Sequence, residues 1–122
     1  MNSAVSTMIK IKRIYDQSTK EDGFRILVDR LWPRGISKDK AKVDLWLREI
    51  APSNDLRKRF CHNLERWEEF KKNYEIELKD KQELLHKIRQ VEKEKGTLTL
   101  LYGAKDEEHN NAVALSAILR KA

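Results

Sequence analysis

The sequence predicts an α/β domain of three-layer type, with a small parallel or mixed sheet flanked by helices. Three observations predict it. Two short apolar runs, FRILV at 24–28 and TLTLLYGA at 97–104, read as strands covered on both faces. Between them, Leu64, Trp67, Phe70, Tyr74 and Leu78 recur three or four apart, the spacing of a long helix over roughly 64–94. Strands that alternate with covering helices bury their apolar faces only in a layered domain.

The elements follow in order. Residues 8–15, MIKIKRIY, alternate. Met8, Lys10 and Lys12 fall on one side and Ile9, Ile11 and Tyr15 on the other, which predicts a half-exposed strand. DQSTKEDG is a polar turn closed by Gly23. After FRILV, Pro33 forbids continuation as a central strand. Ser37 can cap a short helix at KDKAKV, with Lys40 rather than an acid at the capping-box position. In VDLWLREI, Val43, Leu45 and Leu47 alternate with Asp44, Trp46 and Arg48, which favours a strand. Pro52 and Ser53 punctuate, and Ser53 or Asn54 caps a helix through about Phe60. The helical spacing from Leu64 resumes after KDKQ with Leu85, Ile88 and Val91, as one helix or as two with a break near Asp80. Gly96 ends it. AVALSAILRK forms the last helix.

Residues 1–7 are expected as a flexible extension and residues 8–122 as one domain. The chain has no 18-residue apolar run and so no expected transmembrane helix. MNSAVST lacks the basic and apolar regions of a signal peptide. A single cysteine, Cys61, excludes an internal disulfide framework, and together these predict a cytoplasmic protein. The formal charge of +6 is uneven. Residues 1–61 hold 14 Lys+Arg against 8 Asp+Glu, and residues 62–122 hold 12 against 12. The excess is either solvated surface or an attraction to an anion, from a small phosphate compound to nucleic acid.

Two buried strands run into polar loops. The first loop carries Asp29, Arg30 and Arg34; the second carries Lys105, Asp106, His109, Asn110 and Asn111. In open α/β sheets, ligands sit beyond the carboxyl ends of the strands, so parallel neighbours would bring these loops to one edge. Arg30 and Arg34 offer planar forks for phosphate or carboxylate, or else form a salt-bridge network with Asp29. Trp32 is expected to pack beneath the loop, with Pro33 fixing its direction and Gly35 releasing the turn. Asn110 or Asn111 can offer the helix start to an anion or serve as an N-cap. Asp29, Asp106 and His109 are the candidates to move a proton, His109 being otherwise a structural hydrogen-bonder. Ser53 and Arg57 add a third candidate anion contact, with Lys58 and Arg59 along the same helix. Cys61 and His62 are adjacent, and adjacent residues on a helix seldom point together. No metal site and no cofactor is expected: the histidines are scattered, and there is no Walker loop, G-x-G-x-x-G or G-x-S-x-G.

Taken together, VDRLWPRGI, DLWLREIAPSNDLRKRF, ERWEEFKKNY and TLLYGAKDEEHNNA resemble the YeaO-like family of small uncharacterised bacterial proteins, grouped under a domain of unknown function. The resemblance covers nearly all of the chain from Met8. It implies an α/β domain of three-layer type and brings no established activity with it. The family pattern has Gly before the histidine of the mid-chain motif, where this chain has Cys61, which argues against a cysteine nucleophile common to the family.

Three readings of function stand side by side. The first is a domain that binds a small anionic ligand at the sheet edge, with or without turnover. The second is a nucleic-acid-binding protein that uses exposed Lys10, Lys12, Lys38, Lys40 and Lys42. The third is a structural or partner-binding protein in which Asp29, Arg30 and Arg34 are only a salt-bridge network.

Overall fold

A computed structural model describes residues 7–61 and 63–121. It has an α/β fold. Four strands, β1 (Met8–Arg13), β2 (Phe24–Leu27), β3 (Leu45–Trp46) and β4 (Thr97–Tyr102), form one sheet in the order β1-β4-β2-β3. Every pairing is parallel. The two strands flanking β4 meet it in matched register, Ile11 and Ile26 both opposite Leu100. β4 takes the centre because it is apolar on both sides. Leu98, Leu100 and Tyr102 face one core cluster, and Leu101 faces the other. Each fully buried leucine contributes about 1.5–3 kcal/mol.

The helices are α1 (Lys38–Ala41), α2 (Asn54–Phe60), α3 (Trp67–Leu78), α4 (Gln82–Lys95) and α5 (Asn111–Lys121). The expected long helix is two α-helical segments joined by a 3-10 turn at Lys79–Lys81, with a further 3-10 turn at Leu64–Arg66. α3, α4 and α5 bury Phe70, Tyr74, Leu78, Leu85, Ile88 and Leu115 against one face of the sheet. The opposite layer is thin. Ile14, Leu27, Ala41 and Leu101 form its core, with Trp32, Ile36, Val43 and Trp46 packed on them. Among the described residues no helix is long and apolar enough to cross a membrane. The expected extension at 1–7 lies outside the described residues except for Thr7, whose hydroxyl donates to Glu92 at 2.8 Å.

Two expectations need correction. The strand expected over VDLWLREI has only two residues in the ladder, and the chain then tightens into a 3-10 turn at Arg48–Ile50. Asp44 N–H donates to Arg25 O and Leu47 N–H to Leu27 O, so the edge is pinned on either side of the short strand. Lys10 and Lys12, expected as exposed cations, are half-buried. Lys10 donates to Glu21 O at 2.8 Å, and Lys12 donates to Gln17 O at 2.6 Å and pairs with Asp22 at 3.1 Å.

That last contact belongs to a buried polar network under the thin layer. Arg25 and Asp22, each only 4% exposed, pair at 2.5 Å. Arg25 also donates to Ala41 O and Lys42 O, and the Thr99 hydroxyl donates to Asp22 O at 2.6 Å. Burial pushes the Asp22 carboxyl up, but hydrogen bonds from Thr19, Lys12 and Arg25 outweigh it and hold the group below its ordinary range. The turn into β2 demands glycine. Gly23 has φ +65°, and a Cβ there would stand 2.2 Å from Thr97 O.

Candidate functional site

Beyond the carboxyl ends of β2 and β4 the surface opens into a cleft of about 630 Å³. Parallel pairing of these two neighbours brings both polar loops to one edge, as the sequence predicted. The loop after β2 supplies Asp29, Arg30, Trp32, Pro33 and Arg34. The loop after β4 supplies Gly103, Ala104, His109, Asn110 and Asn111. The end of α2 adds Arg57, Lys58, Phe60 and Cys61, and Tyr15, Leu31, Ala51, Pro52 and Phe70 also line the cleft.

Asp29 ties the two loops together. Its Oδ2 accepts from Gly103 N–H at 2.8 Å, and its Oδ1 accepts from Asn111 Nδ2 at 3.2 Å. The same Nδ2 donates to Val28 O at 2.9 Å, so the first residue of α5 is anchored to the end of β2. Burial raises the Asp29 pKa above its ordinary value, against the hydrogen bonds from Asn111 and Gly103 and the charge of Arg57. Gly103 has to be small. A Cβ there would lie 3.1 Å from both Asp29 Oδ2 and Pro33 Cβ.

The salt-bridge network of the third reading is not formed: among the described residues Asp29 makes no ion pair with Arg30 or Arg34. Arg30 instead donates from Nη2 to Ala51 O at 3.1 Å, and its Nε is buried without a hydrogen-bond partner. An unsatisfied buried donor costs about 1–3 kcal/mol. Lys81 reaches the same Ala51 carbonyl at 3.3 Å and Glu49 O at 2.6 Å. Burial, and then the charge of Arg30, lowers the Lys81 pKa. Trp32 packs beneath its loop as predicted. Its Nε1 donates to Ile36 O at 2.8 Å, and its ring meets Trp46 edge-on at 5.5 Å. Trp46 Nε1 donates to Asp29 O at 2.8 Å. Gly35 turns the loop at φ +82°, and the Tyr15 hydroxyl holds Arg34 O at 2.5 Å. The Arg34 side chain is left in solvent at the mouth of the cleft.

Arg57 and Lys58 both line the cleft from the end of α2 and are exposed. Among the described residues no acid pairs with Arg34, Arg57 or Lys58. Ser53 caps α2, its Oγ accepting from Leu56 N–H at 3.1 Å. Glu77 holds it in turn, accepting from its amide at 2.9 Å and its hydroxyl at 2.5 Å. At the other end of α2, Cys61 takes the left-handed cap conformation, φ +41° and ψ +40°. That is a glycine-favoured geometry, and it explains why glycine suits this position. His62 lies outside the described residues.

In the second loop, Asp106 accepts from His109 N–H at 3.0 Å, and its Oδ2 lies 3.1 Å from His109 Nδ1. The backbone N–H of Glu108, and then His109, hold the Asp106 carboxyl below its ordinary range. The His109 ring meets Trp67 edge-on at 5.2 Å. Asn110 is the N-cap of α5, its Oδ1 accepting from Val113 N–H at 3.0 Å while its Nδ2 donates to Asp106 O. Of the residues singled out from the sequence, Asp29, Arg30, Arg34, Arg57, His109, Asn110 and Asn111 line this one cleft. Ser53, Lys105 and Asp106 do not line it. Sequence reasoning named Lys58 only alongside Arg59 and did not select Tyr15, Gly103 or the Phe60–Phe70 wall. The glycine directly after the central strand was the available signal for close backbone approach.

A family model described as "Inactive DUF488-N3 subclade" matches residues 8–122. The chain is 43% identical over 112 residues to "Uncharacterized protein YeaO" of Escherichia coli (strain K12), covering 92% of this chain and 96% of that protein. It is 43% identical over 74 residues to "Uncharacterized protein Rv3073c" of Mycobacterium tuberculosis (strain ATCC 25618 / H37Rv), covering 61% of this chain and 63% of that protein. No solved structure matches. With the matched span running from the first strand through the last helix, the chain belongs to the YeaO-like family, within the inactive DUF488-N3 subclade.

Proposed function

We propose that this protein binds a small anionic ligand, phosphate- or carboxylate-bearing, in the cleft at the carboxyl edge of its sheet. The observation that carries the reading is a charge imbalance. Arg34, Arg57 and Lys58 line the cleft without a salt bridge among the described residues, while the cleft's carboxylate, Asp29, feels the charge of Arg57 but accepts from Gly103 and Asn111. Unpaired guanidinium groups at the mouth of a concave site suit an oxyanion. Arg34 and Arg57 hold the anion, and Arg30, which lines the cleft and donates to Ala51 O, adds its charge. Asp29 and Asn111 keep the two loops in place.

Binding without turnover is the preferred form, in keeping with the word "Inactive" in the description of the matching subclade. A turnover reading has one observation in its favour. His109 lines the cleft with its Nδ1 beside Asp106, which leaves Nε2 as the nitrogen for proton transfer. The nucleic-acid reading is weaker, since two of its lysines are engaged: Lys10 donates to Glu21 O and half-buried Lys12 pairs with Asp22.

A thermal-shift titration with phosphate, sulfate, sugar phosphates and a short oligonucleotide tests these readings. A ligand at a hundred times its dissociation constant adds about 2.7 kcal/mol of apparent stability. The expected result is a response to a small phosphate compound that persists at moderate salt and disappears in Arg34→Ala. A response to the oligonucleotide alone, falling steeply with salt, would favour nucleic acid. No response to any of them removes the binding role.

A further inference from the structure

We infer that the occupant of this cleft is a phosphate carried on a flat, largely apolar ring system, the chemistry shared by aryl phosphates and mononucleotides. The inference rests on the anion-binding reading and names the ligand class of the same site.

Size is the first argument. The cleft holds about 630 Å³, inside the range of about 300–1,000 Å³ typical of pockets for drug-sized molecules. A bare phosphate takes the room of only a few waters, each about 30 Å³. Most of the cleft would then stay wet against apolar wall.

The distribution of chemistry along the lining is the second. The unpaired cations Arg34, Arg57 and Lys58 are exposed and so mark the mouth. The buried lining is mostly apolar, with Pro33, Pro52, Phe60 and Phe70 beside the amide of Asn110. Phe60 and Phe70 are 7% and 4% exposed, with ring centroids 4.8 Å apart. Trp67 stacks on Phe70 at 5.5 Å and 15°, so this wall is a braced aromatic surface. An ion alone gains nothing from such a wall, whereas a ring does.

One side chain at the site lacks what such a ligand would bring. Leu31, 67% exposed, is a large apolar group at the cleft lining and open to solvent. A ring covers it, and the phosphate of the ligand lies toward the cationic mouth.

Isothermal titration of the full chain with inorganic phosphate, benzoate, phenyl phosphate, AMP and UMP provides the test. Phenyl phosphate and the nucleotides are expected to bind at least about tenfold tighter than inorganic phosphate, the ratio that one aromatic contact supplies. Benzoate is expected to bind more weakly than phenyl phosphate. Leu31→Ser should weaken phenyl phosphate more than inorganic phosphate, and Arg34→Ala should weaken both, each with its melting curve recorded to exclude misfolding. A preference for AMP or UMP over phenyl phosphate supports the inference and narrows it to nucleotides. Equal affinity for inorganic and phenyl phosphate overturns the ring and leaves the anion reading standing. Benzoate equal to phenyl phosphate overturns the phosphate. Silence from all five overturns this inference and the anion reading together.

Discussion

The amide of Gly103 donates to Asp29 Oδ2 across 2.8 Å, and a methyl group on Gly103 would stand 3.1 Å from that same oxygen. One atom thus sets both the attraction between the two site loops and the limit on the side chain. Gly103→Ala must move Asp29 or Pro33 to fit. The expected cost is about 1–3 kcal/mol, as for other overpacked sites. Urea denaturation measures it. A cost near zero would show that the loops yield freely and that Asp29 is no brace.

Asp29 also makes a pH prediction. Its folded pKa is raised, chiefly by burial, above the ordinary 3.8. A raised carboxyl favours the fold below 3.8 and loses that contribution as pH climbs through the folded value. Carboxyl-carbon NMR should place the Asp29 midpoint above the ordinary one. Asp22 has the opposite sign. Its pKa is depressed from 3.8, so its contribution is present above 3.8 and is lost as pH falls through the folded value. Asp22→Asn should flatten the acid limb of the stability curve. It should also cost about 3–5 kcal/mol at neutral pH, because Arg25 is left buried without its partner.

Cys61 sits at φ +41°, where glycine carries no Cβ penalty. Cys61→Gly is expected to stabilise the protein by about 0.5–1 kcal/mol, the relief of that penalty less the greater entropy of glycine in the unfolded chain. Chemical denaturation decides it. A loss of stability would show that the thiol makes a contact worth more than the strain.

Ser53 and Arg34 separate a cap from a ligand contact. Ser53→Ala removes the acceptor for Leu56 N–H and should lower stability by about 1 kcal/mol while anion affinity holds. Arg34→Ala removes an exposed side chain and should leave stability within about 0.5 kcal/mol while anion affinity falls. The reverse pattern would return Ser53 to the site and take Arg34 out of it.

Much of this was legible in the residues. The capping roles of Ser37 and Ser53 and the buried character of 24–28 and 97–102 follow from local chemistry and need no tertiary knowledge. The meeting of Asp29 with the 103–111 loop followed from the rule on carboxyl edges. Other features depend on contacts distant in the chain. Lys12 looks like a surface cation until the 19–22 turn folds Asp22 beneath it. Arg25 stands in an apolar run because its acid lies three residues back across a turn. Lys58 was indistinguishable from Arg59 by spacing, and only the placement of α2 against the sheet edge puts one in the cleft.

The sheet order has a consequence for how the chain comes together. β1 and β2 never touch as neighbours; each waits for β4, whose Thr97 pairs with Met8 across most of the polypeptide. A ribosome delivers β4 last of the four strands. Until it arrives, Ile26 and Leu27 have no central partner, and the emerging chain displays bare strand edges. Such non-local parallel pairing folds slowly and invites aggregation. The four-stranded sheet can therefore close only after residue 102 has left the exit tunnel.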